Sequence, residues 1–120
     1  MDQAFVRYGF SDEQLASLET VYAPGVAAGQ VFVISGAGSG MGRAMSYLFA
    51  RLGGNVVLAG RKEESLRETE RGLSRFGGRT LVIPTNIRDV DQVANLMDKA
   101  WETFGRVDVL INNAGGQFPQ

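Results

Sequence analysis

The chain has 120 residues, with 13 acidic and 12 basic side chains and a net charge of −1. This balance argues against a basic nucleic-acid interface and a polybasic membrane patch. Cysteine and histidine are absent, which excludes disulfides, thiolate chemistry and the commonest metal ligand. We expect a soluble intracellular protein without a signal peptide or membrane span.

The first 29 residues form an N-terminal extension with a pattern of its own. Gln14 follows Ser11 at the spacing of a capping box. Apolar residues then recur at helical spacing: Leu15, Leu18 and Tyr22. We expect a short helix that packs on the main domain or on a neighbouring subunit; a partly ordered leader without function is the alternative.

From residue 30 onward, short apolar runs alternate with amphipathic stretches. Four runs rich in β-branched residues have the composition of buried parallel strands: 31–34, 56–59, 81–83 and 107–111. Three helices are predicted between them, each followed by glycine. This alternation predicts an α/β fold with a doubly wound, Rossmann-like parallel sheet over residues 30–120, truncated after the fourth strand.

The apolar stripes of the predicted helices are expected to be core because they recur at helical spacing. The first and third helices carry the clearest stripes: Met41, Ala44, Met45, Leu48, Phe49 and Leu52, and Val93, Leu96, Met97, Ala100, Trp101 and Phe104. The second carries a thinner one: Leu66, Thr69, Leu73 and Phe76.

Glycine is concentrated in residues 35–42, where the first strand passes into a helix. Its spacing, made by Gly36, Gly40 and Gly42, is G-x-x-x-G-x-G rather than G-x-G-x-x-G, and no P-loop G-K-[ST] follows. Missing β-carbons let a ligand approach the backbone, and a helix start offers unpaired N–H groups to phosphate. The turn favours a dinucleotide over a nucleoside triphosphate.

With Asn112, Asn113, Ala114 and Gly115 after the fourth strand, the chain resembles the short-chain dehydrogenase/reductase family. That family typically has T-G-x-x-x-G-x-G in the first turn and N-N-A-G after the fourth strand; Ser35 stands in place of the threonine. The resemblance implies that residues 39–41 lie beside the cofactor pyrophosphate and residues 113–115 near its riboses. Alternatively, the first and last glycines of the turn serve helix packing and one asparagine ties strands together.

The residue after the second strand distinguishes NAD from NADP, because a carboxylate there accepts bonds from the ribose hydroxyls and repels a 2′-phosphate. This chain has Gly60, followed by Arg61 and Lys62. Their positive charges suit a phosphate. We therefore expect NADP(H); the alternative is that Arg61 is simply a solvated residue before a helix.

After the third strand, Asn86 occupies the place where the family commonly has an aspartate beside the adenine. Its amide oxygen can accept the same hydrogen bond without the charge. Asp89 is expected to cap the next helix. The complete set of predicted cofactor-binding residues is Ser35, Gly36, Ser39, Gly40, Met41, Gly42, Arg61, Lys62, Asn86, Ile87, Asn113, Ala114 and Gly115.

The family resemblance implies catalysis by Ser, Tyr and Lys with a Y-x-x-x-K signature, which no tyrosine here matches. The tyrosines are followed four residues later by Asp12, Val26 and Arg51. We predict no catalytic residue in this chain, which is expected to be inactive alone, and we predict that Tyr47 serves packing.

The function implied by the resemblance is that of an NADP(H)-dependent oxidoreductase acting on a small molecule, with this chain supplying the cofactor-binding half. Residues 116–118 and 86–88 are similar to the branch that reduces enoyl- and dienoyl-CoA thioesters, and the complete enzyme is expected to be a homo-oligomer. The alternatives are a non-catalytic dinucleotide-binding or regulatory module, an inactive fragment, or an interaction protein with coincidental motifs.

Overall fold

A computed structural model describes residues 10–113. Its four strands form one parallel sheet in the order β3-β2-β1-β4. In chain order the elements are α1 (Asp12–Ser17), β1 (Val31–Ser35), α2 (Gly40–Arg51), β2 (Asn55–Gly60), α3 (Glu63–Leu73), β3 (Thr80–Pro84), α4 (Val90–Phe104) and β4 (Val109–Ile111). The predicted Rossmann-like α/β fold is confirmed.

The sheet has helices on both faces because side chains alternate along each buried strand. In β1, Phe32 and Ile34 pack with α1, α2 and α3, whereas Val31 and Val33 pack with α4. The strand order extends from β1 towards β2 on one side and towards β4 on the other. This reversal creates the crevice in which doubly wound folds bind ligands.

The fourth strand begins two residues later than predicted, at Val109. The Asp108 carboxylate accepts the backbone N–H of Val31 at 2.8 Å and a hydrogen bond from Arg106 at 2.7 Å. Both interactions hold the pKa of Asp108 below its ordinary value, the arginine more strongly. The Val31 N–H therefore bonds to the Asp108 side chain instead of to a strand carbonyl. Regular pairing of β1 with β4 starts with Phe32 and Val109.

The predicted apolar stripes are core with two clear exceptions. Met41 is 70% exposed and Trp101 is 58% exposed. Met41 lies in the first turn of α2, beyond the end of β1 and beside the cleft described below. Trp101 follows Ala100, which faces the sheet, so a rotation of about 100° per residue turns the indole away from the core.

The N-terminal helix has the predicted cap but is shorter than predicted. Ser11 Oγ accepts the Gln14 N–H at 3.2 Å and Gln14 Oε1 accepts the Ser11 N–H at 2.9 Å, which confirms the capping box. The helix ends before Leu18, and Tyr22 lies outside it, 55% exposed. Arg51 of α2 donates to the carbonyls of Leu15 and Leu18, which a further helical turn would have used.

Tyr47 is a packing residue, as predicted, but its hydroxyl has no hydrogen-bond partner among the described residues. The ring lies edge-on to Phe76, with centroids 6.3 Å apart. Its hydroxyl reaches α3 at Gly72, where a β-carbon would overlap it and lie 2.6 Å from Tyr47 Cζ. Burial and the nearby Asp12 carboxylate raise the pKa of Tyr47.

We expect Gly72→Ala to lower the free energy of unfolding by about 1–3 kcal/mol, because the new methyl group overlaps the tyrosine hydroxyl. In a Tyr47→Phe background the same substitution should cost less, because the overlap with the hydroxyl is gone while the 2.6 Å approach to the ring carbon remains. Urea unfolding of the four proteins measures the difference. An equal cost in both backgrounds would contradict the assigned contact.

Candidate functional site

A cleft of about 600 Å³ lies at the carboxyl ends of β1, β2 and β3. Its lining comes from the turn after β1, from the end of β2 and the segment that follows it, from the segment after β3, and from Asn113 after β4. The lining residues are Gly36, Gly38, Ser39, Gly40, Met41, Gly60, Arg61, Lys62, Ser65, Leu66, Thr85, Asn86, Ile87, Arg88 and Asn113.

The glycine-rich turn ends at the uncapped N-terminus of α2. Ser39 occupies the N-cap but forms no side-chain capping bond, and the first turn contains no acidic residue. Gly36 and Gly40 have φ angles of 67° and 56°, which glycine adopts without the cost that other residues incur. The turn therefore presents backbone N–H groups and the positive end of the helix dipole to the cleft.

Gly42 is buried behind this turn and does not line the cleft. A β-carbon at this position would overlap the Gly36 carbonyl and lie 2.8 Å from Asn113 Nδ2. The missing side chain thus lets the first turn of α2 pack against the start of its own loop and against the residue after β4. Gly42 shapes the site by allowing this close approach.

Ser35 also lies outside the cleft lining, although it was among the predicted cofactor contacts. It is buried, and its hydroxyl accepts the Asn113 N–H at 2.9 Å. The same oxygen lies 3.3 Å from the Ile111 carbonyl oxygen and 3.4 Å from Asn112 Oδ1. Ser35 therefore ties β1 to the end of β4, which positions Asn113 at the cleft.

The end of β2 carries two cations into the cleft. Arg61 and Lys62 are exposed, and within residues 10–113 neither side chain has a hydrogen-bond or ion-pair partner. Arg88 adds a third cation to the lining, which contains no carboxylate. The electrostatics of the cleft therefore favour an anionic ligand.

The segment after β3 is fixed by its own hydrogen bonds. Asn86 Oδ1 accepts the Arg88 N–H at 3.0 Å, and the Asn86 N–H donates to Gln92 Oε1 at 2.8 Å. The bond from Arg88 uses one lone pair of the Asn86 amide oxygen and leaves the second for a ligand donor. Asp89 accepts the backbone N–H groups of Asp91 and Gln92, which confirms it as the cap of α4.

The structure brings together most of the predicted residues. Those that line the cleft are Gly36, Ser39, Gly40, Met41, Arg61, Lys62, Asn86, Ile87 and Asn113. Ala114 and Gly115 lie outside the described residues.

Sequence reasoning missed several lining residues: Gly38, Ser65, Leu66, Thr85 and Arg88. A β-carbon at Gly38 would lie 2.7 Å from the Ser65 β-carbon, so the turn and the start of α3 touch directly. No motif indicates this tertiary contact. Arg88 could have been found from its positive charge and its place just after β3.

Residues 10–113 contain no group of three or more acidic side chains placed to hold a metal ion. None of the helices in that range combines the length and apolarity of a bilayer span.

Comparisons with known proteins identify the family to which this chain belongs. The family model for short chain dehydrogenase matches residues 30–120. A relative is the peroxisomal 2,4-dienoyl-CoA reductase [(3E)-enoyl-CoA-producing] of Danio rerio, 36% identical over 109 residues, covering 90% of this chain and 36% of the relative. The chain spans about a third of the length of the curated relatives that it matches.

Solved structures include neighbours in complex with either nicotinamide dinucleotide. A short chain dehydrogenase/reductase from Burkholderia phymatum in complex with NAD has a TM-score of 0.71 and 43% identity, covering 74% of this chain and 32% of that one. A metagenomic short-chain oxidoreductase in complex with NADP also has a TM-score of 0.71, with 37% identity and coverage of 74% and 40%.

Proposed function

Because the chain belongs to the short-chain dehydrogenase family, we propose that it supplies the cofactor-binding part of an NADP(H)-dependent oxidoreductase. A nicotinamide cofactor gives or accepts a hydride when bound. The residues of this chain hold and orient that cofactor.

We assign different segments of the cleft to the parts of a dinucleotide. The uncapped start of α2, at Ser39, Gly40 and Met41, suits the pyrophosphate because free N–H groups point there. The segment holding Asn86 and Ile87 suits the adenine end. Asn86 Oδ1 accepts the Arg88 N–H with one lone pair, which leaves the second lone pair and the NH2 group for the base.

The nicotinamide half is assigned to the end of β4. Asn113 lines the cleft beside the start of α2, held there by its bond to Ser35. We extend this assignment along the chain to Ala114 and Gly115 on the family resemblance.

The observation that carries the choice of NADP(H) is the unpaired charge at the end of β2. Arg61 and Lys62 line the cleft without an ion-pair partner in the described part of the chain, and Gly60 replaces the carboxylate that would repel a 2′-phosphate. A guanidinium forks onto phosphate oxygens, and an ammonium adds a point charge.

For the substrate we propose an enoyl- or dienoyl-CoA thioester. The support is the similarity to a relative named 2,4-dienoyl-CoA reductase, which covers 90% of this chain. The test is whether the full-length protein, with NADPH bound, reduces the conjugated double bond of each thioester. The loss of nicotinamide absorbance measures this reaction.

We expect the full-length protein to bind NADPH at least tenfold more tightly than NADH, since hydrogen bonds to charged groups contribute about 1.5–3 kcal/mol. Titration calorimetry or nicotinamide fluorescence measures both dissociation constants. The NADPH constant should also rise with salt, because the selecting interaction is ionic. Clearly tighter NADH binding would overturn the cofactor assignment.

A further inference from the structure

The N-terminal extension is bound to α2 at both ends of that helix. Near its start, the Arg43 guanidinium donates to the Phe10 carbonyl at 2.9 Å and forms an ion pair with Asp12. Near its end, the Ala27 N–H donates to the Leu52 carbonyl at 3.0 Å. The extension therefore follows α2 along its length.

Arg43 lies where the glycine-rich turn becomes regular helix. Its N–H donates to the Ser39 carbonyl at 3.2 Å, at the start of α2. Within residues 10–113, Arg43 is the first residue of α2 whose side chain bonds to another segment, because Gly40 and Gly42 have no side chain and Met41 is exposed. Ser39 provides no side-chain cap either.

The Arg43 side chain is also held from the core side. Its guanidinium carbon lies 5.5 Å from the centre of the buried Tyr47 ring. The Arg43 side chain is 19% exposed and that of Asp12 is 52% exposed, so solvent screens the ion pair from the Asp12 side only. The guanidinium hydrogen bond keeps the pKa of Asp12 below its ordinary value, so the carboxylate is ionised at neutral pH.

The extension is shared with a relative. The similarity to the Danio rerio reductase spans 109 residues, whereas the family-model match begins at residue 30. The alignment is longer than that match and therefore includes part of the extension. A segment shared in this way and fixed to α2 can influence the ligand that α2 binds.

We propose that Arg43 is a positioning residue: Asp12 and the Phe10 carbonyl hold it so that the N-terminal extension fixes the first turn of α2 for the cofactor pyrophosphate. The inference rests on the proposed function. It gives the extension, which does not line the cleft, a role in cofactor affinity.

The test compares two neighbouring carboxylates of α1 in the full-length protein. Asp12→Asn removes the ion pair at the start of α2. Glu13→Gln is the matched control, because Glu13 is also in the first turn of α1 but pairs with Arg75, which lies beyond the end of α3. Each variant loses one acidic group from the same helical turn.

Binding of two different ligands distinguishes a positioning role from a general loss of structure. NADPH carries the pyrophosphate, whereas adenosine 2′-phosphate carries only the phosphate assigned to Arg61 and Lys62. We expect Asp12→Asn to weaken NADPH binding about threefold to fivefold and to leave adenosine 2′-phosphate binding, followed by NMR titration, unchanged. Hydrogen exchange of the α2 first turn should become faster.

Different results would overturn the positioning role and the proposed function. Unchanged or tighter NADPH binding in Asp12→Asn, an equal loss in Glu13→Gln, or equal weakening of both ligands would overturn the positioning role. A wild-type protein that binds neither ligand would instead overturn the proposed function. If Asp12→Asn fails to fold, Arg43→Lys serves the same test, because it keeps the charge but loses the planar group that contacts both partners.

Discussion

Gly42→Ala is expected to lower the free energy of unfolding by about 1–3 kcal/mol and to weaken NADPH binding more than tenfold. The added methyl group would overlap the Gly36 carbonyl, a backbone atom that cannot rotate away. It would also displace the Asn113 amide, 2.8 Å from the new carbon. This cost exceeds the roughly 1 kcal/mol that alanine gains over glycine in a helix. Denaturant unfolding and NADPH titration measure the two effects.

Gly77→Ala is the matched control for this prediction. A β-carbon there meets no atom within 4 Å, and Gly77 is not among the glycines with positive φ. We expect its unfolding free energy and NADPH affinity to stay near those of the wild type. If Gly42→Ala behaves like Gly77→Ala, the turn does not depend on the close approach seen in the structure.

Gly60→Asp is expected to reverse the cofactor preference. A carboxylate at the end of β2 accepts bonds from the ribose hydroxyls of NADH and repels the 2′-phosphate of NADPH. The site can accept the side chain because a β-carbon at Gly60 meets only the Leu66 side chain, with Cδ2 at 3.2 Å, and its φ is not positive. We expect NADPH affinity to fall at least tenfold while NADH affinity rises. Parallel titrations with both cofactors measure the change.

Gly60→Asn separates charge from shape, since it has the same size without the negative charge. We expect it to weaken NADPH binding much less than Gly60→Asp does. Equal losses in both variants would show that bulk at this position, and not repulsion of a phosphate, decides cofactor binding.

Local sequence patterns predicted most of the secondary structure. The β-branched runs predicted four strands, and the described part of the chain contains them with ends shifted by at most two residues. The largest shift has a tertiary cause, because the Asp108 carboxylate takes the Val31 N–H that strand pairing would otherwise use. The N-terminal helix ended early for a similar reason, since Arg51 of α2 binds the carbonyls of Leu15 and Leu18.

In the candidate site, too, some features were predicted from the sequence and others depend on tertiary contacts. Spacing along the chain predicted the glycine-rich turn and the cations after β2, because both are contiguous in sequence. Ser35 was placed at the cofactor by motif position, whereas the structure uses its hydroxyl to join two strands. Ser65 and Arg88 reach the cleft only because α3 and the segment after β3 fold against the turn.

The sequence by itself determined the parallel α/β architecture, the glycine-rich turn and the family, since each depends on residues close together or on motifs at strand ends. Tertiary structure alone decided which side chains share the cleft, that Gly42 serves a close approach, and that the N-terminal extension holds the start of α2. Those properties depend on contacts between segments far apart in sequence, and chain periodicity carries no information about which distant surfaces meet.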